Sequence, residues 1–113
     1  MAETKNYFMN IDSRVEELGE GIKRKVKAYS DGLMLVEVHF ETGAEGYVHE
    51  HFHEQCTYVQ SGVFEFNING DKRVVKTGDT LYMEPNLPHG TICIEAGILL
   101  DVFTPARQDF VNK

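Results

Sequence analysis

Gly43-Ala44-Glu45-Gly46-Tyr47-Val48-His49-Glu50-His51-Phe52-His53-Glu54-Gln55-Cys56-Thr57-Tyr58-Val59-Gln60-Ser61-Gly62 is the stretch on which the reading of this chain turns. Three of the five histidines fall within residues 49–53. On an extended strand, side chains two residues apart point to the same side, so His49 and His51 can aim two imidazoles at one point. Gln55 follows four residues after His51, and His89 lies far downstream beside Pro88. A lone His-x-His pair is as compatible with a polar strand face as with half a metal site. A third imidazole shifts the balance toward one divalent ion, with zinc, nickel, copper, iron and manganese all suited to such donors. His53 reads either as a further ligand or as a group that supports the others.

Outward from this stretch, turn signals recur every eight to twelve residues, among them Ser30-Asp31-Gly32, Asn69-Gly70-Asp71 and Thr77-Gly78-Asp79. Short β-rich runs between regularly spaced turns mark a sandwich or barrel. In Leu33 to Glu41, Met34, Val36, Val38 and Phe40 share one face, and Glu37, His39 and Glu41 the other. Phe64, Phe66 and Ile68 repeat the pattern, and Asn69-Gly70 offers the positive φ angles of a tight hairpin. Residues 12–18 (DSRVEEL) suggest the one helical turn, with Asp12 or Ser13 as N-cap. No linker, repeat or low-complexity tract interrupts residues 1–113, so a single all-β domain is expected.

Composition narrows the function. A chain of 113 residues with 42% hydrophobic and 26% charged residues has the make-up of an ordinary globular domain. A net charge of −7 argues against binding a phosphate backbone. The basic run Lys23 to Lys27 (KRKVK) reads as a strand with a solvated face, or as a partner or substrate contact. No stretch approaches the ~20 apolar residues of a membrane span. The first residues, MAETKNYFMN, lack the basic and apolar regions of a signal peptide, so the cytoplasm is the expected location. Cys56 and Cys93 show no CxxC spacing and read as free, buried thiols.

The histidine stretch also carries a resemblance. Gly43-x5-His49-x-His51-x3-Gln55-x6-Gly62 resembles the first cupin motif, with Gln where the motif has Glu. Gly78-x5-Glu84-Pro85-Asn86-Leu87-Pro88-His89 resembles the second, with its Pro and Gly shifted or replaced and Cys93 where the motif ends in Asn. The motifs span residues 43–62 and 78–93. The resemblance implies a six-to-eight-stranded jelly-roll β-barrel with metal in its mouth. Neutral Gln55 would leave a bound ion its full double positive charge, which favours acid-type chemistry on an anion and matches poorly the two-His-one-carboxylate site of iron oxygenases.

Over about residues 15–111 the chain looks more specifically like the pectin-degradation cupins of the KdgF type. Leu18 to Lys27, His49 to Gln55, and Leu100 to Phe110 carry that likeness. The family opens the ring of 4,5-unsaturated monouronates from pectin or alginate to linear 5-keto-4-deoxyuronate, an isomerase-type reaction. Its metal ligands fall on His49, His51, Gln55 and His89, and its functional Asp, Phe and Arg on Asp101, Phe103 and Arg107. The residues agree: Asp101 and Phe103 are two apart on a strand, and a carboxylate amid Leu99, Leu100 and Val102 is costly unless paired or used. Asp101 is then the expected general acid/base, with the alternative of a structural pair with Arg107. Arg107 would orient the sugar through its planar fork, and Phe103 would pack on the sugar face. The likeness further implies an anionic sugar substrate and a homodimer. A metal-dependent cupin dioxygenase and a non-catalytic sugar-acid-binding cupin are the competing readings.

Overall fold

Residues 5–111 are described here from a computed structural model. The alternation of Leu33 to Glu41 becomes a strand whose Met34, Val36, Val38 and Phe40 are all buried, while the residues between them are half-buried. In chain order the strands are β1 (Val15–Gly19), β2 (Ile22–Tyr29), β3 (Met34–Phe40), β4 (Glu45–His49), β5 (Glu54–Ile68), β6 (Asp71–Lys76), β7 (Thr80–Met83) and β8 (His89–Thr104). A short helix, α1 (Gln108–Val111), follows. All pairs are antiparallel and join in the order β1-β2-β3-β8-β5-β6, with β4 added to β8 and β7 to β5. This is the expected all-β jelly-roll barrel.

Two long strands make the barrel possible. β5 and β8 pair from Glu54↔Thr104 to Ile68↔His89. β3 lies along the Gly97–Phe103 half of β8, and β4 along its His89–Ile92 half. Each long strand therefore serves two walls and must bend between them. The bend falls where register shifts cluster between Val59 and Phe64. There Gly62 has φ +88°, and an added Cβ would lie 2.6 Å from the Glu95 carbonyl oxygen. Opposite, a Cβ at Gly97 would lie 2.1 Å from the Ser61 carbonyl oxygen. Backbone meets backbone at this corner, and a side chain fits on neither strand.

The core fills the space between the walls. Met34, Val36 and Phe40 of β3 meet Val59, Phe64 and Phe66 of β5 and Leu99 and Phe103 of β8. Phe40 and Phe64 pack edge to face at 5.3 Å. Between β5 and β6, Asn69 (φ 51°) and Gly70 (φ 90°) form the expected hairpin turn.

Two sequence expectations are corrected. Residues 12–18 are not a helix: a 3-10 turn occupies Asn10–Asp12, and β1 begins at Val15. Glu16 and Glu17 stand opposite Arg24 and Lys23 in the β1–β2 pair, and both acid–base pairs form, at 3.4 and 3.7 Å. Cross-strand charge pairing thus overrides a weak local helix signal. Of the two cysteines, both free, only Cys93 is buried. Cys56 lies between inward-facing Gln55 and Thr57 and so points outward.

Candidate metal centre

His49, His51 and His89 converge at the barrel mouth. His49 ends β4, His89 opens β8, and the two are direct cross-strand partners. His51 does not continue β4 as the strand reading expected, because the chain leaves the sheet after His49. It sits instead on the connection to β5, where its carbonyl accepts a 2.7 Å bond from the Asn86 backbone N–H. Asn86 has φ 63° and stands where the second motif has Gly; asparagine tolerates that left-handed conformation better than most residues. The ring centroids lie 4.6 Å (His49–His89), 5.0 Å (His51–His89) and 5.6 Å (His49–His51) apart. One nitrogen from each ring falls within 4.8 Å of the others.

Hydrogen bonds fix which nitrogen points inward. The Nδ1–H of His49 donates to the Tyr47 carbonyl at 2.8 Å, that of His89 to Leu87 at 2.8 Å, and that of His51 to His53 at 3.1 Å. A backbone carbonyl only accepts, so Nδ1 carries the proton and Nε2 offers a lone pair. His89 Nε2 is buried with no hydrogen-bond partner, a costly state for a polar atom unless something binds it. Gln55 sends its Nε2–H to Thr57 Oγ1 at 2.9 Å, which turns its Oε1 toward His51 Nε2 at 3.0 Å. Three imidazole nitrogens within 4.8 Å of one another and an amide oxygen 3.0 Å from one of them make up the donor set. These residues fit a divalent cation.

Electrostatics agree with that use. Burial holds the His51 and His89 pKa values below the ordinary imidazole range, and the Arg107 charge pushes both the same way. The rings therefore stay neutral, as ligation requires. His53 lies outside the group of three. It is buried, stacks on Phe52 at 4.0 Å, and contributes its carbonyl to hold the His51 ring.

Below the imidazoles lies a cavity of about 250 Å³, lined by His49, Gln55, His89, Asp101, Phe103 and Arg107. Its floor is apolar, from Val36, Val38 and Leu99. Three larger surface grooves, about 280, 550 and 590 Å³, include none of these six residues. Asp101 and Phe103 share a face of β8, as their spacing implied. Burial raises the Asp101 carboxyl to about 6, against the downward pull of bonds from Thr57 and Gln55. Thr57 Oγ1 donates to Asp101 Oδ1 at 2.7 Å. The alternative Asp101–Arg107 pair is not what Arg107 makes: its Nε and Nη2 donate to the two Asp109 oxygens at 3.1 and 2.9 Å. One edge of the guanidinium is thus held by Asp109, and the opposite Nη1/Nη2 edge is the one a ligand can use.

The sequence reading did not single out two residues at this site, Arg24 and Thr57. Arg24 lines it from β2, its Cζ 3.7 Å from the Phe110 ring centroid, while Arg107 lies 4.3 Å from that ring. Thr57 joins Gln55 to Asp101. Period-two parity held the signal: Arg24 falls in step with Ile22 and Val26, and Thr57 with Gln55 and Val59. The basic run is therefore a strand, as read, with one guanidinium turned to the cavity.

Comparison with known proteins places this geometry. The family model described as a cupin domain matches residues 36–103. The pectin degradation protein KdgF of Dickeya dadantii (strain 3937) is 47% identical over 109 residues, covering 95% of this chain and 99% of that protein. The chain belongs to the KdgF family of cupins. Among solved structures, this cupin is similar to KdgF from Halomonas sp. (34% identity, TM-score 0.89, 96% of this chain and 100% of the other). It is also similar to an RmlC-like cupin from Shewanella frigidimarina NCIMB 400 (40% identity, TM-score 0.91, 98% and 100%). No helix among the described residues of this cupin is long and apolar enough to cross a membrane.

Proposed function

We propose that this cupin catalyses ring opening of 4,5-unsaturated monouronates from pectin or alginate to linear 5-keto-4-deoxyuronates. The observation that carries the reading is one cavity lined by His49, His89 and Gln55 of the candidate metal group together with Asp101, Phe103 and Arg107, with the third imidazole, His51, within 4.8 Å of the other two. The 47% identity to a pectin degradation protein over nearly the whole chain supports it. Function as a cytoplasmic homodimer belongs to the same proposal.

His49, His51, Gln55 and His89 would hold one divalent ion, whose Lewis acidity lowers the energy of negative charge developing on the substrate. Asp101 removes the proton from the C1 hydroxyl, C1=O forms as the bond from C1 to the ring oxygen breaks, and the released electron pair becomes an enolate over that oxygen, C5 and C4. Asp101 then returns a proton to C4, which leaves the ketone at C5. Burial raises the Asp101 carboxyl in the metal-free protein to about 6, the direction that suits a group exchanging protons near neutrality. Arg107 binds the substrate carboxylate or a hydroxyl with the edge that Asp109 leaves to it. Phe103 packs beneath the sugar and helps keep water from the reacting carbons.

The test is an ultraviolet assay of the conjugated C4=C5 acid with lyase-derived unsaturated galacturonate, read as the rate above spontaneous opening. Acceleration with a 5-keto-4-deoxyuronate product supports the proposal. Oxygen uptake in place of that product would transfer support to the dioxygenase reading. Tight binding with no acceleration would transfer it to a binding protein.

A further inference from the structure

We infer that Thr57 is a positioning residue, whose hydroxyl fixes the direction in which the Gln55 amide faces the imidazoles. The inference rests on the metal reading proposed above and deepens it. Thr57 is 1% exposed and bonds at both ends, accepting from Gln55 Nε2 at 2.9 Å and donating to Asp101 Oδ1 at 2.7 Å. A hydroxyl has one proton to give. With that proton committed to the carboxylate, Thr57 meets Gln55 as an acceptor and selects the amide N–H. The amide oxygen is then left pointing at His51 Nε2, 3.0 Å away. Turned over, the amide would present its N–H pair to the imidazoles, where it repels a cation. An amide rotates between these two states with little steric difference, so something must choose. Among the described residues, the hydroxyl between Gln55 and Asp101 makes that choice, and the Asp101 carboxylate, which also draws the Gln55 amide, acts in the same direction. A carboxylate at position 55 would have no such choice to make, since both its oxygens are ligands. The Gln found here thus brings a dependence on Thr57 that Glu would not.

The test loads the full-length protein with zinc(II), challenges it with graded chelator, and measures retained zinc by elemental analysis. Thr57→Val, close in shape and β-branched like Thr, is expected to lower zinc affinity by ~10–100-fold, the usual loss when a group that orients a ligand is removed. Thr57→Ser restores the hydroxyl and is expected to restore retention. Thr57→Ala removes the hydroxyl with less bulk and gives the same reading where Val is not accommodated. In a Gln55→Glu background the same Thr57 change is expected to alter retention little. Unchanged retention in Thr57→Val and Thr57→Ala, failure of Ser to rescue, or an equal loss in the Gln55→Glu background would each overturn the inference. A wild-type chain that holds no zinc would overturn the metal reading itself. That result appears in the wild-type arm alone and is separate from any effect at Thr57.

Discussion

The lone pairs of His51 Nε2 and Gln55 Oε1 face each other across 3.0 Å. Two acceptors at that separation repel unless a positive charge sits against both. Purified protein is therefore expected to carry one divalent ion per chain, and His51→Ala or His89→Ala to lose it, by elemental analysis. Stripping the ion should also lower the melting temperature. A ligand present at 100 times its Kd stabilises the folded state by about 2.7 kcal/mol. Full metal content in either alanine variant would remove these residues from the ligand set.

Gln55→Glu separates affinity from catalysis. The added negative charge strengthens attraction for the cation, so the variant is expected to hold metal at least as well as wild type. The same charge opposes an anionic substrate and negative charge developing on it, so turnover at saturating metal is expected to fall. A rate equal to or above wild type would leave Gln55 as a tolerated ligand with no catalytic advantage.

Asp101→Asn keeps the shape of the side chain and removes proton exchange. It is expected to retain metal while losing at least ~10²-fold of the acceleration. A normal rate would move the acid/base role to another group.

The same variant has a signature in stability that needs no substrate. In metal-free protein the Asp101 carboxyl titrates near 6, above its ordinary 3.8, because burial disfavours the charged form. Between those values the folded chain keeps a proton that the unfolded chain releases. The contribution of Asp101 to stability therefore falls as pH rises from about 3.8 to about 6 and stays low above it. His51, His53 and His89 act in the opposite direction, since their depressed values favour folding at higher pH and lose that favour as pH falls. Comparing Asp101→Asn with wild type cancels the histidines. The stability of the variant relative to wild type should grow as pH is raised through that window, as read by thermal unfolding in chelator. A constant difference would contradict the burial argument.

Glycine substitutions test the barrel corner. At Gly97 a Cβ would lie 2.1 Å from the Ser61 oxygen, whereas at Gly70 it meets nothing within 4 Å. Gly97→Ala is expected to cost more than about 4 kcal/mol, or to prevent folding, because backbone must move. Gly70→Ala carries only the strain of a positive φ, about 1–2 kcal/mol. Denaturant titration of both variants checks the contrast.

How much of this was legible before folding depends on where the information lies. The β3 face was readable because Met34, Val36, Val38 and Phe40 alternate without a break, and the Asn69-Gly70 turn because its residues suit its angles. His49 and His51 were readable from spacing and His89 from the resemblance to the second cupin motif, although the strand supposed to align His49 with His51 ends between them. What stayed hidden was set by partners distant in sequence. Glu16 and Glu17 stand opposite bases on the next strand, and Thr57 reaches Asp101 only when β5 lies beside β8. Parity on β5 would have exposed Cys56 and buried Thr57, had it been carried along the strand from Gln55.

The long β5–β8 pairing has a consequence for the order of events in folding. Its partners are far apart along the chain, from Glu54↔Thr104 to Ile68↔His89, and contacts so remote are slow to close. His89 reaches His49 only through β4 docking on β8, and both imidazoles meet Gln55 only once β8 has zipped along β5. No single hairpin of this barrel gathers all the donors. An ion held as proposed would therefore find its complete ligand set late, and capture of metal during refolding should keep time with the final consolidation of the barrel and not with its earliest turns.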